Sequence, residues 1–273
     1  MANTAALAAQ VWQGIPVLLR VSGLFLVAPV FGSYFVPAQV KVFIILVTTL
    51  AVYPMAVAAA APAGTGAAVT AAFAGGDLWA MMALAVQELA VGLLLGYASL
   101  LAFVGIQVAG QFLDMEMGFG IVNVIDPQLN QVSPLLGNFQ YLLALLIFLA
   151  TNGHYTLLSG LAQSYRILPM GGPRPTVGEP VLGFVLNLFS GLFVTALKVA
   201  APVLAAMFLT TVALGLLSRA VPQLNIFMVG LPAKAIIGLA LMALLMPGYL
   251  ALLENVLGGI KPALARLLEV MRL

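Results

Sequence analysis

The sequence predicts an all-α protein that lies in a membrane. Of its 273 residues, 63% are hydrophobic and only 7% are charged, and the mean hydropathy is +1.17. About a quarter of the residues of a soluble domain are charged, so this chain has too few polar groups to cover a surface in water. Its apolar residues form long runs, and the helix is the open-chain element that satisfies its own backbone hydrogen bonds in lipid.

Six apolar runs define the predicted helices. They cover about residues 11–31, 42–61, 78–108, 135–150, 181–217 and 225–257. The Ala/Gly-rich stretch 61–77 is interpreted as a linker with little to pack. The connector 164–180, with four prolines and three glycines, is the strongest break in the chain. The tail GGIKPALARLLEVMRL has the pattern of a short amphipathic helix. No basic residue precedes Arg20, so we expect no signal peptide at the N-terminus.

Two features indicate that much of this apolar surface faces other protein chains or a water-filled path. The fifth run has 37 residues, which is about 55 Å of helix at ~1.5 Å per residue, whereas the hydrocarbon core of a bilayer is ~30 Å thick. Four runs also carry one charge well inside them: Arg20, Glu88, Lys198 and Lys234. In lipid, each such charge costs about 2.5–3.5 kcal/mol at a helix centre.

The residue inventory favours no enzyme. His154 is the only histidine and there is no cysteine, so zinc-protease, thiolate and Cys-based metal sites cannot be assembled from this sequence. No phosphate-binding loop or serine elbow occurs either. The net charge of +2 comes without a Lys/Arg run, which argues against nucleic acid as a partner. We therefore predict no catalytic residue, cofactor or metal.

The central segment, GQFLDMEMGFGIVNVIDP at residues 110–127, combines acidic residues with Met, Phe and Gly. Asp114 and Glu116 would point to different faces of a helix but to one face of an extended segment, and the pattern leaves both open. A polar loop at a membrane edge is the simpler interpretation. A deformable gate fits the composition better than a catalytic site does, because Met fills irregular gaps and Gly lets the backbone bend. The residues of this predicted gate are Gly110, Phe112, Asp114, Met115, Glu116, Met117, Gly118, Phe119 and Gly120.

Four stretches of the chain carry a family resemblance. They are LLRVSGLFLVAPVFGSYFVPAQVKV (18–42), QELAVGLLLGYASLLAFVGIQVAGQFLDMEMGFGIVNVIDPQ (87–128), NGHYTLLSGLAQSYRILPMG (152–171) and AAPVLAAMFLTTVALGLLSRAVPQLNIFMVGLPAKAIIGL (200–239). Together they resemble the FliR family of export-gate subunits. The last is the most specific, because an R-x-x-PQLNxF turn followed by P-x-K is hard to produce by chance. The NGH and PQLNIF details are closer to the flagellar branch than to the injectisome branch, which serves virulence type III secretion.

The resemblance implies a non-enzymatic, structural subunit of a type III protein-export gate. Chains similar to FliR assemble with several copies of FliP and FliQ, one FliR per gate, and FlhB wraps the outside. Unfolded flagellar or effector proteins would cross the bacterial inner membrane through the pore of this assembly, within the flagellar basal body. The expected contacts of this chain are therefore these subunits, the export substrates and membrane lipid.

The same resemblance assigns parts of the chain to roles. Residues 1–180 would form a FliP-like helical region, in which segment 107–124 plugs the closed pore. Residues 181–273 would form a FliQ-like hairpin of long, tilted helices with an amphipathic tail. The tip of that hairpin would hold Arg219, Pro222, Gln223 and Asn225. Charges inside the apolar runs (Arg20, Glu88, Lys198 and Lys234) would find partners at subunit interfaces, where pairing offsets most of the cost of burial.

Alternatives to these roles stay open at this point. A secondary transporter of six helices could use Glu88 and Lys198 as an intramembrane ion relay. Lys198 and Lys234 could instead extend their ammonium groups to a membrane surface. Arg20 could end the first helix against lipid headgroups.

Overall fold

A computed structural model describes residues 2–32, 36–62, 64–75, 77–121, 134–172, 178–223 and 225–272. These residues form nine α-helices and no strand. The helices are α1 (Ala2–Val27), α2 (Ala38–Ala60), α3 (Thr65–Ala74), α4 (Leu78–Met117), α5 (Leu135–Ala150), α6 (Gly153–Ile167), α7 (Glu179–Ala220), α8 (Ile226–Gly258) and α9 (Ile260–Arg272). One turn of 3-10 helix, Phe119–Ile121, follows α4.

Within the described residues, five stretches of helix are long and apolar enough to cross a membrane: α1, α2, α4, α7 and the stretch from α8 into α9. The pair α5 and α6, bent by 70° at its junction, would make a sixth span. These helices confirm the predicted all-α membrane fold.

The first compact unit comprises Met1–Leu101, Asn152–Leu188 and Gly259–Leu273. Here α1 and α4 approach closely, because a Cβ added at Gly23 would lie 2.6 Å from the Leu89 carbonyl oxygen. The tail helix α9 buries its apolar side, and Leu264 contacts α6 at Gly160. The predicted amphipathic tail is thus confirmed.

The linker prediction for residues 61–77 is wrong over most of its length, because α3 is a packed helix. Alanine is the best helix former, and Val69 and Phe73 lie four residues apart on one side of the helix. Val69 is fully buried, and the Phe73 ring stacks on Trp12 with 5.9 Å between centroids. In addition, Gln13 Nε2 of α1 donates to Thr70 Oγ1 at 3.3 Å. These contacts attach α3 to α1.

The second compact unit comprises Ala102–Thr151 and Phe189–Gly258. Phe103 is fully buried and makes an edge-to-face contact with Phe148, with 5.3 Å between centroids. Both units thus combine segments from either side of residue 180. The predicted division at that residue rests on likeness to FliP and FliQ rather than on compactness, and it stays a prediction.

Candidate functional site

The central segment continues α4. The helix runs from Leu78 to Met117 without a break and ends where Gly118 adopts φ = +86°, a left-handed conformation that favours glycine and commonly follows the last helical residue. The helical alternative for Asp114 and Glu116 is therefore the observed one. Residues 122–124 of the predicted plug and Asp126 lie outside the described residues.

Asp114 caps another helix. The residue is 4% exposed. Its carboxylate accepts hydrogen bonds from the backbone N–H of Leu136, at 2.9 and 3.1 Å to its two oxygens, and from Gly137 N–H at 3.2 Å. These donors belong to the first turn of α5, which begins after Pro134 and has no side-chain cap of its own. A carboxylate here satisfies N–H groups that the helix cannot pair and faces the positive end of its dipole.

Two glycines bring α4 and α5 into the contact that this cap needs. A Cβ added at Gly110, one turn before Asp114, would lie 2.5 Å from Gly137 Cα and 2.6 Å from Gly137 N. No side chain fits at that distance. Position 110 therefore requires glycine, because the backbones of α4 and α5 approach closely there. This requirement adds to the flexibility predicted for Gly110.

Glu116 binds the two long C-terminal helices. Its Oε1 lies 3.2 Å from Lys234 Nζ of α8 and accepts a hydrogen bond from Thr211 Oγ1 of α7 at 2.9 Å. The side chains of Lys234 and Glu116 are 20% and 34% exposed, so water reaches the ion pair. Asp114 and Glu116 therefore bind on different sides of α4, one in a buried cap and the other in a half-exposed bridge.

The two methionines of the segment also differ. Met117 is 1% exposed, whereas Met115 is 75% exposed. Met117 packs on α8 where Gly238 leaves room, since a Cβ there would lie 2.5 Å from the Met117 sulfur. Beside it, a Cβ on Gly118 would lie 2.7 Å from Leu231 Cδ2. The remaining predicted gate residues, Phe112, Phe119 and Gly120, are half-buried.

Arg20 and Glu88 form an ion pair inside the first unit. Arg20 Nε lies 2.6 Å from Glu88 Oε2, and the two side chains are 1% and 0% exposed. Arg20 Nη1 also donates to Ser164 Oγ at 3.1 Å and to the Leu168 carbonyl at 3.0 Å. Its guanidinium stacks over the Tyr165 ring, with 4.3 Å from Cζ to the centroid. These contacts join α1, α4, α6 and the residue after α6.

One expectation about this pair stays a prediction and one needs correction. Glu88 is paired with Arg20 of the same chain, and its role at a subunit interface stays a prediction. Arg20 lies in the interior of α1, which ends at Val27, so it does not end that helix against lipid headgroups. The pair forms because α1 and α4 approach closely at their glycines, which places the two charges within bonding distance.

The two lysines have different surroundings. Lys234 is half-buried and paired with Glu116. Lys198 is exposed and lies in the interior of α7, and its ammonium makes no ion pair with any carboxylate in the described ranges. Pairing with another subunit and extension to a membrane surface both stay predictions for Lys198. A role at subunit interfaces stays a prediction for all four charges.

Of the predicted hairpin tip, Arg219 lies in the last turn of α7, and the described residues 221–223 and 225 connect α7 to α8. Asn225 caps α8, because its Oδ1 accepts from Met228 N–H at 3.4 Å and its carbonyl accepts from Val229 N–H at 3.2 Å. The side chains of Arg219, Pro222 and Gln223 are exposed, so other chains can reach them.

Comparison with known proteins shows the family. Residues 11–260 match the family model described as "Bacterial export proteins, family 1". The chain belongs to this family, which includes FliR. It is 34% identical to the flagellar biosynthetic protein FliR of Escherichia coli over 256 residues, which cover 94% of this chain and 92% of the relative.

Other relatives of this FliR-family chain come from both branches. Identity to the flagellar biosynthetic protein FliR of Bacillus subtilis is 40% over 176 residues, covering 64% of this chain and 68% of the relative. The Yop proteins translocation protein T of Yersinia pestis is 32% identical over 168 residues, covering 62% and 64%. The FliR-family chain is thus a membrane-embedded component of a type III export apparatus.

Several residues that complete the Arg20 cluster and the contacts of the central segment could not be identified from the FliR-family sequence. Ser164 and Tyr165 complete the Arg20 cluster, and Thr211 and Gly238 complete the contacts of the central segment. Each is an ordinary helical residue far along the chain from its partner. Only the spacing of Leu231, Lys234 and Gly238, three and four residues apart, indicates one face of a helix.

Proposed function

We propose that this chain is a structural subunit of the type III protein-export gate and that its central segment closes the pore at rest. It works in the bacterial inner membrane, within the flagellar basal body, beside FliP, FliQ and FlhB. Unfolded proteins pass through the assembled pore, and no chemistry is carried out by the chain. Residues 1–180 supply the FliP-like part of the subunit, and residues 181–273 supply the FliQ-like hairpin.

The dimensions of the C-terminal helices support assembly with other chains. The 42 residues of α7 extend about 63 Å at ~1.5 Å per residue, twice the ~30 Å hydrocarbon core. Only 33% of its most apolar window is buried. The part of this surface that lies outside lipid needs protein to cover it. Large apolar side chains exposed along α7 include Leu186, Phe189, Phe193, Leu197, Phe208, Leu209 and Leu216.

The observation that carries the gate proposal is the attachment of the central segment to the chain's own hairpin. Glu116 and Met117 contact α7 and α8, while Met115 presents its side chain outward. Methionine is flexible and polarizable, so it can seal an irregular opening and move aside for a passing chain. The half-buried Phe112 and Phe119 add apolar bulk to the same segment.

The flagellar assignment is proposed over the injectisome. Flagellar relatives match more of this chain, up to 94% of it, whereas the Yersinia relative matches 62%. The transporter alternative gains no support, because Glu88 is already bound by a guanidinium that stays charged at every physiological pH.

A deletion within residues 113–119 of the native secretion system tests the gate proposal. The proposal predicts that cells become leaky to a small dye while the subunit still co-purifies with FliP and FliQ. Met115→Ala should produce a smaller leak in the same assay. Met82→Ala is the matched control, since Met82 is also an exposed methionine of α4, at 56%, and lies outside the segment. An assembled deletion variant that stays tight would refute the gate.

A further inference from the structure

We infer that α7 and α8 carry a releasable docking site for the end of α4, and that the gate opens by leaving this site while Asp114 stays in place. The inference rests on the proposed function and identifies the residues that hold the closed state. The docking site consists of Thr211, Leu231, Lys234 and Gly238. Three of these lie on one face of α8, and Thr211 faces them from α7.

The four residues of the docking site contact three successive residues of the segment. Lys234 and Thr211 bind the carboxylate of Glu116 at 3.2 and 2.9 Å. Gly238 accommodates Met117, whose Sδ, Cγ and Cε would lie 2.5 to 2.7 Å from a Cβ at that position. Leu231 packs on Gly118, the residue with positive φ where the helix ends. The site therefore recognises an acidic residue, a methionine and a glycine in sequence.

The attachments on the two sides of the segment differ in strength. Asp114 is 4% exposed and accepts three hydrogen bonds from N–H groups at a helix start. Breaking them would leave a buried carboxylate and buried N–H groups without partners, which is costly. Glu116 and Lys234 remain reachable by water, so water replaces their bonds on separation at a small cost. Release therefore begins at Glu116 and leaves Asp114 fixed.

Thr211 has an alternative acceptor that suits a releasable contact. Its hydroxyl lies 2.9 Å from Glu116 Oε1 and 3.0 Å from the Met207 carbonyl of its own helix. A hydroxyl has one proton to donate. When Glu116 departs, the Thr211 hydroxyl keeps a hydrogen bond within α7. Lys234 lies toward the start of α8 and is half-buried, so its ammonium turns to water.

Charge variants in the assembled secretion complex test the docking site. Loss of a half-exposed ion pair of this kind changes the ratio of closed to open gates by about twofold to fivefold. We expect Glu116→Gln and Lys234→Met each to raise dye leakage by about that factor. The double variant Glu116→Lys/Lys234→Glu, which swaps the two charges, should bring leakage back toward the wild-type value. Glu254→Gln, which alters an exposed carboxylate of α8 outside the site, should leave leakage unchanged.

A disulfide provides a second test, because the chain has no cysteine of its own. In Met117→Cys with Gly238→Cys, a Cβ at 238 lies 2.6 Å from Met117 Cγ, whose place the new sulfur takes. The two side chains are therefore close enough to form an S–S bond of ~2.05 Å after a small adjustment. Oxidation should stop export and abolish leakage, and reduction should restore export. Both single-cysteine variants should be insensitive to oxidant.

The outcomes separate this inference from the gate proposal. If the 113–119 deletion leaks but the charge variants are as tight as the wild type, the docking site is wrong and the gate stands. Export that continues through a complex with a formed 117–238 disulfide would also overturn the docking site. If the deletion itself stays tight, the gate proposal fails, and the docking site fails with it.

Discussion

The cap that Asp114 places on α5 yields a quantitative prediction for Asp114→Ala. The substitution removes the acceptor for the backbone N–H of Leu136 and Gly137 and leaves both donors in a buried place. Hydrogen bonds to charged groups contribute about 1.5–3 kcal/mol, and loss of a helix N-cap costs about 0.5–2 kcal/mol. Because these figures describe the same contacts, we expect a local loss of about 2 kcal/mol for the first turn of α5.

Hydrogen exchange of the two amides is the direct assay. A loss of about 2 kcal/mol corresponds to about 30-fold faster exchange when local opening controls the rate. Asp114→Asn keeps one amide oxygen as acceptor and should accelerate exchange less. Asp77→Ala is the matched control, because Asp77 caps the start of α4 through Trp79 N–H at 3.1 Å and Ala80 N–H at 3.3 Å. Unchanged exchange at Leu136 and Gly137 in Asp114→Ala would refute the cap.

Three further predictions concern the first unit, with stability measured by thermal unfolding of the purified chain unless stated. Arg20→Leu leaves the buried carboxylate of Glu88 uncompensated and should lower the free energy of unfolding by about 3–5 kcal/mol. The double variant Arg20→Met/Glu88→Leu removes both charges and should lower it much less. Equal losses in the two variants would contradict the ion pair. Gly92→Ala should abolish folding, since its Cβ would overlap the Arg20 carbonyl oxygen, while Gly14→Ala, with open space around it, should stabilise by up to about 1 kcal/mol. Leu264→Ala removes a buried side chain and should lower the free energy of unfolding by about 2–5 kcal/mol. Trypsin should then cleave at Arg266 faster than in the control Leu244→Ala, which alters an exposed leucine.

The overall class follows from composition, but the end of α4 does not. Hydropathy ends the third run near residue 108, whereas the helix continues to Met117. Acidic residues are unfavourable near a helix C-terminus, so Asp114 and Glu116 argue against this extension locally. Their partners, Leu136 and Lys234, lie 22 and 118 positions away. Contacts at such separations decide the end of the helix, and no local pattern encodes them.

The charged residues illustrate the same limit. The sequence predicts that Arg20 and Glu88 need partners, because isolated charges inside apolar helices are costly. It does not show that they are each other's partners across 68 positions. Their pairing depends on the close approach of α1 and α4 at glycines, which becomes visible only in three dimensions. Family resemblance predicts the function of the chain more readily than it predicts such contacts, because a family is recognised from motifs along the chain.

Ion conductance of the reconstituted complex tests the central claim most directly. The wild-type complex and a complex whose subunit lacks residues 113–119 would be placed in planar bilayers at matched protein density. We expect the wild type to be nearly non-conducting at rest and the deletion complex to conduct steadily. Equal, near-zero conductance from two fully assembled complexes would contradict the claim that the central segment closes the pore.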